Sequence, residues 1–206
     1  YLDHKKFKLL YNYSQKIKIE CFASIFSHSD LENHKKVNKK IIKIPSSEAY
    51  DIELIKKAIR YFSRVIVSTG ALNSKELKRL CNIKSKKLTL LHCVSSYPLE
   101  NKNINFYKFK YLKKKFKNVG YSGHLEGIND ALWAIANGAC LVEKHFTIDN
   151  RLKGRDNKFS ILPEELRKVV EFKNFHIDAK FKKTLNILKC EKDVVRNYRG
   201  RWRLNE

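Results

Sequence analysis

Short apolar runs recur along the chain at intervals that leave room for one helix between each pair. They are KIKIECFASIF (16–26), KKIIKIPS (39–46), SRVIVSTG (63–70), KLTLLHCVS (87–95), NVGYSGH (118–124) and ACLVEKHF (139–146). Most are nearly continuous in apolar residues rather than alternating, as strands buried on both faces of a parallel sheet are. Between them, AYDIELIKKAIRYF carries Ile52, Ile55, Ala58, Ile59 and Phe62 at helical spacing, and NSKELKRLCN and NINFYKFKYLKKKF read as further helices. Asn73 and Glu76 stand as a capping pair at one helix start. Ile128, Ala131, Leu132, Ile135 and Ala136 form another helical stripe, closed by Gly138 where a terminating glycine belongs. Strand and helix in alternation predict an α/β fold with a parallel sheet covered by helices.

The strand ends are chemically rich. They carry Ser24, Lys43 and Ser46, Ser68 and Thr69, His92 and Ser95, Ser122 and His124, and Lys144 and His145. In parallel α/β folds the carboxyl ends of the strands share one face, and ligands bind there, so a single active-site mouth is expected. A (β/α)8 barrel needs eight units in about 250 residues. About six are visible, so the expected fold is an incomplete TIM-type barrel whose first two units would precede Tyr1. Position 1 is tyrosine and the chain has no methionine, which agrees with a start lying upstream.

Composition narrows the function classes. With 206 residues and 43% hydrophobic content the chain supports one sizeable core. Neither a membrane span nor a signal peptide is visible, and the expected location is the cytoplasm. The five cysteines are odd in number and never spaced C-x-x-C, which argues for reduced thiols rather than a disulfide framework or zinc knuckle. The net charge of +23 favours a polyanionic partner, yet only ten of the 44 basic residues are arginine. Lysine scattered over every segment is a weak nucleic-acid signal. A basic nucleic-acid or anionic-surface binding protein built on a barrel remnant is the alternative reading, with Arg196, Arg199, Arg201, Trp202 and Arg203 as its tail.

His124 and His145 end consecutive strands, and adjacent strands lie about 4.8 Å apart, so both imidazoles can reach one divalent ion. Ordinary hydrogen-bonded loop histidines are the competing reading. Lys43 closes an apolar strand and needs an anion or a wet cleft. Ser46, Ser68, Thr69 and Ser122 add hydroxyls on the same rim, and Gly70 lets backbone approach closely. Glu48 is a candidate acid, base or sugar-hydroxyl acceptor.

KIIKIPSSE, RVIVSTG, LTLLHCVSSYP, NVGYSGH, GACLVEKHFT and PEEL occur in an order and spacing that resembles the sialic acid synthase family, including its legionaminate and pseudaminate relatives. The likeness runs from about Cys21 to about Arg203. It implies a TIM barrel that condenses phosphoenolpyruvate with an N-acylated amino sugar such as N-acetylmannosamine, releasing phosphate. By the same resemblance Lys43, Ser46, Ser68 and Ser122 bind phosphoenolpyruvate, with Ser24 and Ser95 at further phosphate-side positions. Glu48, Tyr97 and Asp156 fall to the sugar. His124 and His145 hold the metal, Mn2+ first, with Mg2+ or Co2+ as alternatives, and Glu48, His124 and His145 are the catalytic set.

Four departures accompany the resemblance. Gly123 stands where the family has aspartate in S-D-H, Ser47 replaces a glycine, Ser95 stands for an asparagine, and Ser24 loosely matches a threonine. The family's first two strands and its C-terminal antifreeze-like domain have no counterpart here. Residues 1–190 are therefore expected to be the partial barrel and 191–206 a basic connector toward that domain. Full-length relatives are expected to be homodimers, and this segment alone is expected to have little activity.

Overall fold

The computed structural model describes residues 3–179 and 184–205. Tyr1, Leu2 and Glu206, at the outer limits of the two expected regions, lie outside the described residues. Each apolar run after the first becomes a strand: β1 (Ile41–Ile44), β2 (Arg64–Ser68), β3 (Leu88–His92), β4 (Val119–Gly123) and β5 (Val142–Lys144). The helices are α1 (His4–Lys16), α2 (His28–His34), α3 (Ile52–Tyr61), α4 (Ser74–Cys81), α5 (Phe106–Lys115), α6 (Asn129–Ala136), α7 (Pro163–Ala179) and α8 (Lys192–Asn197). All pairings are parallel and the strands lie in sequence order, with Val67 opposite Leu90 and Ser122 opposite Glu143. No helix among the described residues is long and apolar enough to cross a membrane.

The sheet is a curled half-barrel with two unlike faces. On the outer face Ile42, Ile44, Val65, Val67, Leu88 and Leu90 pack beneath the helices against Leu54, Ala58, Leu80 and Leu112. The alternate residues face the concave side, where Ile41, Ile66 and Leu91 meet Phe22 and Leu141. The strand period of two thus sends Lys43, Ser68, Cys93, Ser122, Glu143 and His145 inward beyond that apolar layer. Local signals hold as expected. Asn73 Oδ1 accepts from the backbone of Lys75 and Glu76 at 2.9 and 3.0 Å, Glu76 Oε2 answers the Asn73 amide at 2.9 Å, and Gly138 follows α6 with φ +79°.

The first expected strand is corrected. Residues 16–26 do not form one: α1 runs to Lys16, Lys18 turns the chain at φ 58°, and Ile17 and Ile19 are exposed. The K-I-K-I alternation has the period of a strand but no surface to cover its isoleucines. What remains is an isolated parallel bridge between Ser24 and Lys43, with Ile25 N donating to Lys43 O at 2.9 Å. At the other edge Ile161 forms an unexpected bridge with Phe146 and donates to the His145 carbonyl at 2.8 Å. Among the described residues the sheet therefore has five strands and a bridge at each edge. The segment after 190 forms α8 and a short 3-10 turn, with Arg201, Trp202 and Arg203 exposed.

Candidate active site

At the carboxyl ends of the strands, hydrogen bonds tie the rim together. Lys43 Nζ donates to Glu143 Oε1 at 2.6 Å, and Ser122 Oγ donates to the same oxygen at 2.8 Å. Gly70 N donates to Ser46 Oγ at 3.1 Å and to Cys93 Sγ at 3.2 Å, and those two atoms are 3.0 Å apart. A methyl group at Gly70 would overlap Ser95 Oγ and lie 2.8 Å from Ser46 Oγ, so glycine is needed there for close approach. Ser46, Ser95 and Cys93 therefore form one polar cradle around the Gly70 amide. Ser68 Oγ is buried with no hydrogen-bond partner among the described residues, a donor available to a ligand.

The two histidines converge, with ring centroids 5.5 Å apart. His124 Nδ1 lies 2.7 Å from the Val94 carbonyl; a carbonyl only accepts, so this nitrogen carries the proton and Nε2 is left with its lone pair. His145 Nδ1 faces Asp156 Oδ2 at 3.6 Å, which orients that ring in the same sense. Burial holds both imidazoles below the usual histidine range, opposed at His124 by the Val94 bond and at His145 by Asp156. A neutral ring whose Nδ1 is held by an oxygen acceptor, as at His124, is the form that binds a divalent metal; at His145 the acceptor is a carboxylate 3.6 Å away, outside hydrogen-bond distance. The donor set fits such an ion, although among the described residues no group of three or more His, Cys, Asp or Glu side chains is arranged to hold one. The remaining positions would fall to water or substrate oxygens.

Tyr97 packs its ring against His124 at 4.1 Å and against His145 at 5.8 Å, and Asp156 lies beside them. Glu48 sits in a 3-10 turn just after Ser46, half-buried, and its carboxylate makes no hydrogen bond or ion pair with another described residue. Ser24 reaches the rim through its bridge to Lys43. Lys43, Ser46, Ser68, Ser95, Ser122, Tyr97, His124, His145 and Asp156 are thus brought together at this end of the sheet, with Ser24 and Glu48 beside Lys43 and Ser46.

Three residues read as rim groups point elsewhere. Thr69 is buried and spends its hydroxyl on the Leu91 carbonyl at 3.0 Å. His92 is fully buried, bonded through Nε2 to the Ile104 carbonyl at 3.0 Å, and burial pushes its pKa down to about 4. Lys144 pairs with Asp130 on the outer face. Strand parity is the reason: His92 and Lys144 are one residue out of phase with Cys93 and His145.

Three positions at this site were not singled out from sequence. Glu143 is the shared acceptor of Lys43 and Ser122, and its in-register pairing with Ser122 was the available signal. Cys93 is part of the cradle. Lys108, on α5, is half-buried and donates to the Thr69 carbonyl at 2.5 Å, bracing the peptide before Gly70; burial lowers its pKa.

A curled parallel sheet with a hydroxyl-lined cradle and a histidine pair at its carboxyl ends defines an α/β barrel-type protein with one candidate site on its concave rim. Residues 1–179 match the NeuB family, and the chain belongs to it. The N,N'-diacetyllegionaminic acid synthase of Campylobacter jejuni is 36% identical over 173 residues, covering 81% of this chain and 52% of the relative. The N-acetylneuraminate-9-phosphate synthase of Drosophila melanogaster is 33% identical, covering 81% of this chain and 47% of the relative. The chain thus spans about half the length of these curated relatives. The N-acetylneuraminic acid synthetase of Leptospira borgpetersenii, solved with citrate, superposes with a TM-score of 0.85 at 35% identity, covering 98% of this chain and 72% of that one.

Proposed function

We propose that this chain carries the phosphoenolpyruvate- and metal-binding face of a nonulosonic acid synthase, condensing phosphoenolpyruvate with an N-acylated amino sugar. The observation that carries the reading is convergence: Lys43, the unpartnered Ser68 hydroxyl, Ser122 and the Gly70 cradle share one concave rim with His124 and His145. Named relatives that are legionaminic and neuraminic acid synthases support the same chemistry.

In this reading Lys43 and the hydroxyls of Ser46, Ser68 and Ser122 hold the phosphate and carboxylate of phosphoenolpyruvate, offsetting their charge. A divalent ion, manganese first, would be held by His124 and His145 and would polarise the aldehyde of the open-chain sugar. Tyr97 and Asp156 flank that position and orient the sugar, with Glu48 at the rim to accept a sugar hydroxyl or direct water. C3 of phosphoenolpyruvate forms a bond to the aldehyde carbon, whose oxygen takes a proton to become a hydroxyl. Water adds at C2, and phosphate then leaves with the C–O bond electrons, restoring the keto group.

Binding tests this directly on the chain as it stands. Calorimetry should show saturable phosphoenolpyruvate binding in the presence of Mn2+, lost in Lys43→Met and weakened in His124→Ala. No saturable binding by the parent chain would overturn the proposal.

A further inference from the structure

Gly123 lies at the end of β4, between Ser122 and His124. Its backbone is extended, not left-handed, so backbone conformation does not explain the glycine. Space does. A methyl group at position 123 would overlap Asp130 Oδ2 and lie 2.8 Å from Tyr121 Cε1 and 3.0 Å from Lys144 Cδ. The room beside the histidine-bearing strand end is filled by a carboxylate delivered from α6.

That carboxylate is fully enclosed. Asp130 is 1% exposed, and its oxygens lie 3.2 Å from Lys144 Nζ and accept from Tyr121 Oη at 3.2 Å and Ala131 N at 2.9 Å. Lys144 Nζ also donates to the Leu125 carbonyl at 2.8 Å. The ammonium thus ties β5, one residue before His145, to the residue immediately after His124. Asp130 holds that ammonium in place and, being buried with it, leaves an uncompensated charge if removed.

We infer that Asp130 is a positioning residue that takes the place of a side chain at 123 and, through Lys144, sets the spacing of His124 and His145. The role toward the metal rests on the function proposed above; the interlock between Gly123 and Asp130 does not. Restoring the aspartate at 123 alone should harm the site, because its place is already taken.

The test is a double-variant cycle on the chain, read by Mn2+ affinity from calorimetry and by thermal midpoint. Asp130→Ala and Gly123→Asp should each weaken Mn2+ binding about tenfold, the usual size of effect when a group that positions the ligand-bearing residues from outside the metal's own shell is disturbed. Both should also lower the midpoint. Gly123→Asp with Asp130→Ala should recover both readouts toward the parent, because the new carboxylate enters the vacated space beside Lys144. Unchanged affinity in Asp130→Ala, or a double variant no better than Gly123→Asp, overturns the inference. A parent chain that binds no Mn2+ overturns the metal role; the interlock is then decided by the midpoints, where additive losses reject it and recovery supports it.

Discussion

Lys43 Nζ touches Glu143 Oε1 at 2.6 Å although the two residues lie on the first and last of five strands. Four inter-strand spacings of about 4.8 Å would separate their Cα atoms by about 19 Å in a flat sheet, and the two side chains together reach only about 11 Å. The contact therefore requires the sheet to curl until its edges face each other. One ion pair thus reports the barrel-type curvature and marks the centre of the concave rim.

The same pair sets a competition. Glu143 holds Lys43 while no anion is bound, so it opposes an incoming phosphate for the same ammonium. Glu143→Gln should bind phosphoenolpyruvate more tightly than the parent and be less stable by about 1–2 kcal/mol, since Lys43 is left half-buried without its counter-charge. Lys43→Met should lose both stability and binding. Calorimetry with urea unfolding separates the two, and weaker binding in Glu143→Gln would reject the competition.

Ser68 offers a trade between stability and binding. Its hydroxyl is buried and has no partner among the described residues, so the folded chain already bears the cost of dehydrating it. Ser68→Ala should leave stability unchanged or raise it by up to about 1 kcal/mol, while weakening phosphoenolpyruvate binding about tenfold. A clear loss of stability would mean that the hydroxyl has a structural partner.

Much of this was legible in sequence. Continuous apolar runs such as RVIVS and LTLLH announce parallel strands because both faces are buried, and the Ser68 that ends the first marks the shared rim, whereas the His92 that ends the second turns away from it. What escaped was geometry beyond the single strand. Parity decides that Glu143 and His145 face the site while Lys144 does not, and no local pattern states it. The partner of Lys43 lies 100 residues away, and Asp130 looks like an ordinary first-turn acid of a helix until its carboxylate is seen to fill the room beside Gly123. The error at 16–26 has the opposite cause, a strand-like alternation whose isoleucines have nothing to pack against.

His92 should give the fold an acid-side weakness. Burial, aided by Lys108 and opposed by the Ile104 bond, holds its pKa at about 4 against an ordinary 6.5. A depressed histidine contributes stability that is complete above pH 6.5 and is lost as pH falls toward 4, by about 3 kcal/mol in all. His124 and His145 shift in the same direction and add to the slope. His92→Gln should flatten the fall in urea midpoint between pH 6.5 and 4.5, and an unchanged slope would assign the sensitivity to the other two.

Gly70 gives the most demanding test of the cradle. Alanine there would overlap Ser95 Oγ and crowd Ser46 Oγ and Cys93 Sγ at 2.8 and 2.9 Å. Ser95 is exposed and can swing away, but Ser46 and Cys93 are tied to each other and to the Gly70 amide, so they must shift together. Overpacking of this kind costs about 1–3 kcal/mol. Displacing the hydroxyls should also weaken phosphoenolpyruvate binding about tenfold or more, since positioned groups tolerate little movement. Adding Ser95→Gly should recover part of the stability by removing the worst overlap, but little of the binding, because Ser46 stays displaced. If Gly70→Ala binds like the parent, the cradle does not contact the ligand, and the anion must be held by Lys43, Ser68 and Ser122 alone.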